Sequence, residues 1–363
     1  MRALRFGGYG SYTLSGLLEL RDEGFSVEAG WFGEPNRFRG WIAAILRRIC
    51  VRRTGYCGNF RQTMAGLSEI RRAKALVLTS NNAAFPVLFL RSLGLSIPPV
   101  LVISVGLEWN PPNDSPRRLR SISKLFRHAE KILVYSESER EFLMERIGIE
   151  PHRILAVPFG IPRKYLPAAL PPMTSDEEGE VFQWDVISVG ADAQRDLPLL
   201  LEWARNNPEM RVHLILGDDL VREYTDLLAS VTVESNLSVE EVFERIRSSR
   251  GAVVPVRENL YSAGTTFLIH ALACQTPALV SQTSCLGPQY RISESGCFTY
   301  SPGDTEDFSQ GMKKLLALST NERRSRGEQG RRWVETYADG KPALGVLREF
   351  LEAHSSSPAK EQN

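Results

Sequence analysis

The chain has 363 residues, with 44 Lys+Arg against 43 Asp+Glu and 42% apolar residues. That length suits two domains, each able to bury its own core. The neutral balance excludes a globally basic nucleic-acid binder, and the apolar content excludes a disordered chain.

In chain order, Ala3-Leu4-Arg5-Phe6 reads as a weak first strand before the turn Gly7-Gly8-Tyr9-Gly10. The opening residues contain no continuous apolar core of a leader, and no uninterrupted apolar window of about 18 residues predicts a membrane span. From Pro35 to Ser68 there are seven arginines and no acid. Trp41, Ile42, Ile45, Leu46 and Ile49 recur there at helical spacing between flanking arginines. Two readings stand. Such a helix could lie on an anionic bilayer surface, or it could pack on its own sheet with a solvated basic face. A second basic stretch, Arg117 to Lys131 with Arg118, Arg120, Lys124 and Arg127, reads as a solvated helix face.

Short aliphatic and β-branched runs at 74–79, 99–105 and 131–135, with amphipathic stretches between, predict parallel strands joined by crossover helices. Residues 165–180 hold three prolines and an acidic, small-residue run, the composition of a linker. The rhythm then restarts. Strands are expected at 186–189, 212–216, 252–255 and 277–280, and helices at 197–205, 240–249 and 266–274. The expected fold is α/β, two tandem Rossmann-like, doubly wound domains facing an interdomain cleft. The expected boundaries are 1–165 and 182–340, with a linker at 166–181 and a terminal helix and disordered tail at 341–363. Ligands of such sheets bind beyond the carboxyl ends of the strands.

Charge divides along the same line. Residues 1–165 carry 25 basic and 14 acidic side chains, a net +11, and the remainder carries 19 basic and 29 acidic, a net −10. Cysteines at 50, 57, 274, 285 and 297 form no CxxC pair, so a disulfide scaffold and a zinc knuckle are not expected and a reducing, cytoplasmic setting is.

Two turns in the second half suit phosphate. After the strand at 186–189 comes Gly190-Ala191-Asp192-Ala193-Gln194-Arg195, where glycine admits a close ligand and Arg195 can pair with phosphate oxygens. After the strand at 252–255, a polar loop with Glu258 and Ser262 leads to Gly264-Thr265-Thr266 at a helix start, whose free N–H groups form an anion site. Thr265 or Thr266 could also be a simple N-cap.

The segment His270-Ala271-Leu272-Ala273-Cys274-Gln275-Thr276-Pro277 resembles the nucleotide-sugar helix of GT-B glycosyltransferases, specifically retaining family 4, whose pattern is near Glu-Ala-Met-Ala-x-Gly-x-Pro. Other landmarks follow in the family's order: 132–139 (ILVYSESE), 154–161 (ILAVPFGI) with Tyr165-Leu166-Pro167, 186–200 and 296–304 (GCFTYSPGD). The resemblance spans about residues 130–350 and is general before that. It implies transfer of a hexose from a UDP- or GDP-linked donor to an acceptor hydroxyl, with retention and without a metal or resident cofactor. Polysaccharide or glycolipid assembly is the implied setting, with a lipid-linked acceptor and peripheral attachment to the inner membrane face as further expectations, and no nucleic-acid partner.

By the same resemblance, Gly190, Arg195, Ser262, Gly264, Thr265, Thr266 and His270 hold the donor. The catalytic candidates are Arg195, Glu258 and Glu108; the family's histidine after a strand of the first domain is absent here, and Glu108 or Asn110 could line the cleft from that side or be a loop residue. Gly8 and Gly10 lie where the family approaches donor phosphate and acceptor. This sequence departs from the family at its acidic pair, since Ser262 and His270 stand at the two carboxylate positions. His270 could accept a ribose hydroxyl's hydrogen bond or simply pack the helix. Glu258 could replace the lost acid or be a solvated loop carboxylate. A catalytically inactive GT-B protein acting as a binding or scaffold partner is therefore the alternative, and an epimerase of the same fold a third.

Overall fold

A computed structural model of the protein describes residues 17, 19–28, 34–107, 115–169, 182–190, 192, 194–223 and 228–355. They divide into two compact units. One runs to Val157 and includes Pro342 onward, and the other is Pro158–Lys341.

The first unit contains, in order, α1 (Glu19–Asp22), α2 (Arg37–Thr54), α3 (Phe60–Ala65), α4 (Leu67–Arg72), β1 (Leu76–Leu78), α5 (Asn81–Ser92), β2 (Val100–Ile103), α6 (Pro116–Phe126), β3 (Lys131–Val134), α7 (Glu137–Phe142) and β4 (Ile154–Ala156). The strands pair in parallel in the order β1-β2-β3-β4. All four residues of β2 are buried, as a parallel strand covered on both faces requires. Serine side chains cap α5 and α7. Ser80 and Ser136 accept from the backbone N–H groups of Ala83 and Glu139, satisfying donors that a helix start leaves open.

Helix α2 is the basic segment of the sequence. Asn36 caps it, and Gly55, at φ 84°, ends it in a left-handed turn open to glycine at little cost. Gly40, Ala43 and Cys50 are buried, and Ile42 and Leu46 pack partly against the core. Its main neighbours are α3, α5 and α6, so it packs on helices rather than directly on the sheet. The stripe read from the sequence therefore splits, because Trp41, Ile45 and Ile49 remain exposed with Phe38.

The second unit contains β5 (Trp184–Gly190), α8 (Leu197–Asn206), β6 (Val212–Leu216), α9 (Asp218–Glu223), β7 (Val231–Glu234), α10 (Val239–Arg247), β8 (Ser249–Val254), α11 (Thr265–Ala273), β9 (Ala278–Ser281), β10 (Phe298–Tyr300), α12 (Thr305–Leu316) and α13 (Thr320–Tyr337). Its six parallel strands lie in the order β10-β9-β8-β5-β6-β7. Alternate residues feed two cores. Ile187, Ile215, Val254 and Val280 join α10, α11 and α13, whereas Val186, Leu214, Val253 and Leu279 join α8 and α12. Each large side chain so buried stabilises the unit by about 1.5–3 kcal/mol.

The chain builds outward from β5 through β6 to β7, then returns to the other side of β5 with β8. The strand order reverses between β5 and β8, and beyond their carboxyl ends a doubly wound sheet leaves room for a ligand.

The last helix, α14 (Lys341–Ser355), folds with the first unit. Arg348 pairs with Glu23 at 2.6 Å, and His354 lies 3.0 Å from Glu130. No helix among the described residues is long and apolar enough to cross a membrane.

Candidate functional site

The loops leaving β5 and β8 are stitched together at the point of strand reversal. Arg257 N–H donates to the Gln194 carbonyl and Asp196 N–H to the Pro255 carbonyl, each at 2.9 Å, and Arg195 bridges Val256 in antiparallel sense. Asp192 shapes the turn before them, its Oδ1 accepting from Gln194 N–H at 3.0 Å. These bonds fix the Arg195 backbone on both sides.

Its side chain lies across Gly190, at the end of β5. A Cβ added at Gly190 would sit 2.0 Å from Arg195 Nε. One added at Gly264 would sit 3.3 Å from Nη1, and the guanidinium carbon is 6.0 Å from the Phe267 ring centre. The structure thus brings Gly190, Arg195 and Gly264 together.

Arg195 is 6% exposed, and neither Nε nor Nη1 makes a hydrogen bond. The Asp192 carboxylate is 3.4 Å from Nε and supplies charge without hydrogen-bond geometry. A buried cation with open donors is costly unless something fills them. The N-terminus of α11 adjoins it. Gly264 is the N-cap and provides no side-chain cap, so beyond Thr265 N–H, which reaches the Ser262 carbonyl at 3.4 Å, no side chain caps the helix's first N–H groups or its positive dipole end. Thr265, 1% exposed, leaves Oγ1 without a hydrogen bond. Such an arrangement can hold an anion with several oxygens, and a diphosphate has the right charge and acceptors.

The remaining sequence candidates fall elsewhere or are otherwise engaged. Glu258 Oε1 accepts from Ser284 N–H at 2.8 Å, tying the loop after β8 to the turn after β9. Ser262 offers its carbonyl to Thr265 N–H at 3.4 Å, and Thr266 is half-buried. His270 is 5% exposed and packs edge-on against Phe243 of α10, ring centres 5.0 Å apart. Gly8, Gly10 and Glu108 lie outside the described residues. Sequence reasoning missed Asp192 and Asn259. Asn259 is buried, donates through Nδ2 to the Arg257 carbonyl at 2.7 Å and leaves Oδ1 open. Only its position in the loop after β8 could have marked it. Among the described residues no group of three or more His, Cys, Asp or Glu is arranged to hold a metal ion.

Burial pushes the His270 imidazole down to about 4. The ordinary value is near 6.5, so the unfolded chain binds the proton first as pH falls. The stabilisation is complete above pH 6.5 and is lost as pH drops toward 4, by about 3 kcal/mol in all. Urea unfolding at pH 7 and pH 4.5 should show a smaller loss in His270→Leu than in the natural protein. Equal losses would exclude a buried neutral histidine.

Gly264 has φ 77°, and a Cβ there would meet Val254 Cγ1 and Val256 Cγ2 at 2.8 Å. Gly264→Ala combines left-handed strain with overpacking and should cost about 3 kcal/mol. An unchanged urea midpoint would contradict the tight turn.

No family model matches the chain, and a search of curated proteins finds no match. Solved structures do match. HepE from Anabaena, in complex with UDP and glucose, superposes with TM-score 0.68 at 11% identity over 96% of this chain and 97% of that one. A glycosyltransferase from Rickettsia africae gives 0.61 at 14% identity over 98% and 97%. Sucrose-phosphate synthase from Thermosynechococcus elongatus gives 0.60 at 17% identity over 81% and 77%. The fold is therefore the α/β GT-B architecture, with parallel sheets of four and six strands among the described residues.

Proposed function

We propose that the protein is a glycosyltransferase that moves a hexose from a UDP- or GDP-linked donor to an acceptor hydroxyl. The observation that carries this reading is Arg195, buried with open donors beside the uncapped start of α11, where the strand order reverses. The solved structures of the same fold support it, HepE among them with UDP-glucose bound.

As the bond from sugar to phosphate breaks, negative charge develops on the departing diphosphate. Arg195 and the N–H groups of α11 would stabilise that charge without reorganising. Gly190 leaves the space in which the guanidinium lies. The reaction would proceed with retention, as in family 4, a donor phosphate oxygen taking the acceptor's proton. The donor is a substrate, and the reading needs neither a metal nor a resident cofactor. Residues 182–340 would hold the donor and 1–165 would receive the acceptor, in the cytoplasm and in polysaccharide or glycolipid assembly.

A second reading, a GT-B protein that binds without catalysis, is favoured by His270 in the packing of α10 and α11 and by Glu258 held on Ser284. One set of measurements separates the two. Calorimetry with UDP and GDP should detect binding, and a panel of nucleotide sugars should release nucleoside diphosphate in the presence of a hydroxyl acceptor. Binding without release throughout the panel favours the scaffold. Absence of binding at about 1 mM, a level that detects even −4 kcal/mol, removes the donor site.

A further inference from the structure

We propose that helix α2 seats the protein on an anionic lipid bilayer. The helix has two apolar faces and only one is used internally. Gly40, Ala43 and Cys50 face the core. Phe38, Trp41, Ile45 and Ile49, spaced by three, four and four residues, form a separate stripe, and they are 69%, 63%, 36% and 37% exposed. Two aromatics and two isoleucines in one open row are unusual on a water-facing helix, whose outer face is ordinarily polar.

Charge identifies the occupant. Arg37 and Arg48 border the stripe on one side and Arg53 on the other, and Arg52 follows Ile49 at its end, all exposed. No acid lies between Pro35 and Ser68. Helix α6 packs beside α2 and adds exposed Arg117, Arg120, Lys124 and Arg127 at spacings of three, four and three. An apolar row between arginines matches the boundary between acyl chains and anionic headgroups, where long basic side chains keep their charge in the polar layer. A second copy of this chain would bring the same arginines against these, and like charges would repel. A nucleic acid would meet the arginines and could stack on Phe38 and Trp41 but leaves the isoleucines without an apolar partner.

The test is sedimentation of the full chain with vesicles of phosphatidylcholine alone and with about 30% phosphatidylglycerol. The protein should pellet with the anionic vesicles at low salt and be released as salt screens the arginines, between about 0.05 and 0.5 M. Trp41→Ser combined with Ile45→Ser should weaken partition by about tenfold or more. Arg48→Gln and Arg52→Gln should each weaken it about fivefold, equivalent to about 1 kcal/mol per charge. Both sets change exposed side chains, so their thermal melting should match the natural protein and exclude misfolding as the cause. Recovery of the natural protein in the supernatant at low salt overturns the proposal. So does equal binding to neutral vesicles, or self-association that Trp41→Ser abolishes. A single-stranded RNA that strips the protein from the vesicles and binds the Trp41→Ser, Ile45→Ser variant undiminished would overturn it too.

Discussion

Arg195→Met should weaken UDP binding about ten- to a hundredfold while leaving the ligand-free protein at least as stable as before. The first part follows from removing a charged hydrogen-bond donor to phosphate, worth about 1.5–3 kcal/mol. The second follows from burial. Arg195 is 6% exposed with Nε and Nη1 unbonded, so the protein carries a desolvated cation, with the Asp192 carboxylate 3.4 Å from Nε. Methionine keeps an unbranched apolar stem of similar length but removes that charge. Calorimetry gives the affinity and urea unfolding the stability. Gly190→Ala should reproduce the binding loss, because its Cβ would take the place of the guanidinium. A variant that binds UDP normally removes Arg195 from the site. A variant that binds poorly because it has lost stability assigns Arg195 a structural role.

The legibility of this site in sequence has a physical basis. Gly190 and Arg195 follow one aliphatic strand and Gly264 follows another, and both strands are short runs buried on two faces, a pattern that a single sequence displays. What the sequence could not display is that the two loops pair at Arg195 and Val256, since that contact depends on strand order. It also left His270 and Glu258 open between ligand and scaffold. Their partners, Phe243 and the Ser284 amide, lie 27 and 26 residues away. In α2 the helix itself was legible, but the choice of inward face was not. Its core side is built on Gly40, Ala43 and Cys50, small residues that a search for large apolar residues passes over.

Helix α13 shows the same limit, and it carries the largest expected effect on folding. Its sequence, TNERRSRGEQGRRWVETY, is polar throughout most of its length. It nevertheless packs closely on α11. A Cβ at Gly327 would lie 2.2 Å from the Gln275 carbonyl oxygen, and one at Gly330 would lie 2.7 Å from Leu272 Cδ2. Arg331 donates to the Ala273 carbonyl at 2.8 Å, closing the far end of the helix whose start adjoins Arg195. Trp333, 2% exposed, fills the space beside them and donates from Nε1 to the Tyr290 carbonyl at 2.8 Å. Trp333→Ala should therefore destabilise the second unit by about 3–5 kcal/mol, from lost contacts and the cavity left behind. Trp333→Phe, which keeps most of the volume and forfeits the hydrogen bond, should cost less. Urea unfolding followed by far-ultraviolet circular dichroism reads both. A loss below about 1 kcal/mol in the alanine variant would mean that the site collapses freely and that α13 does not brace α11. If the bracing holds, the alanine variant weakens UDP binding by loosening the helix, whereas Arg195→Met weakens it in a protein that remains fully folded. The two variants thereby separate the scaffold of the site from its chemistry.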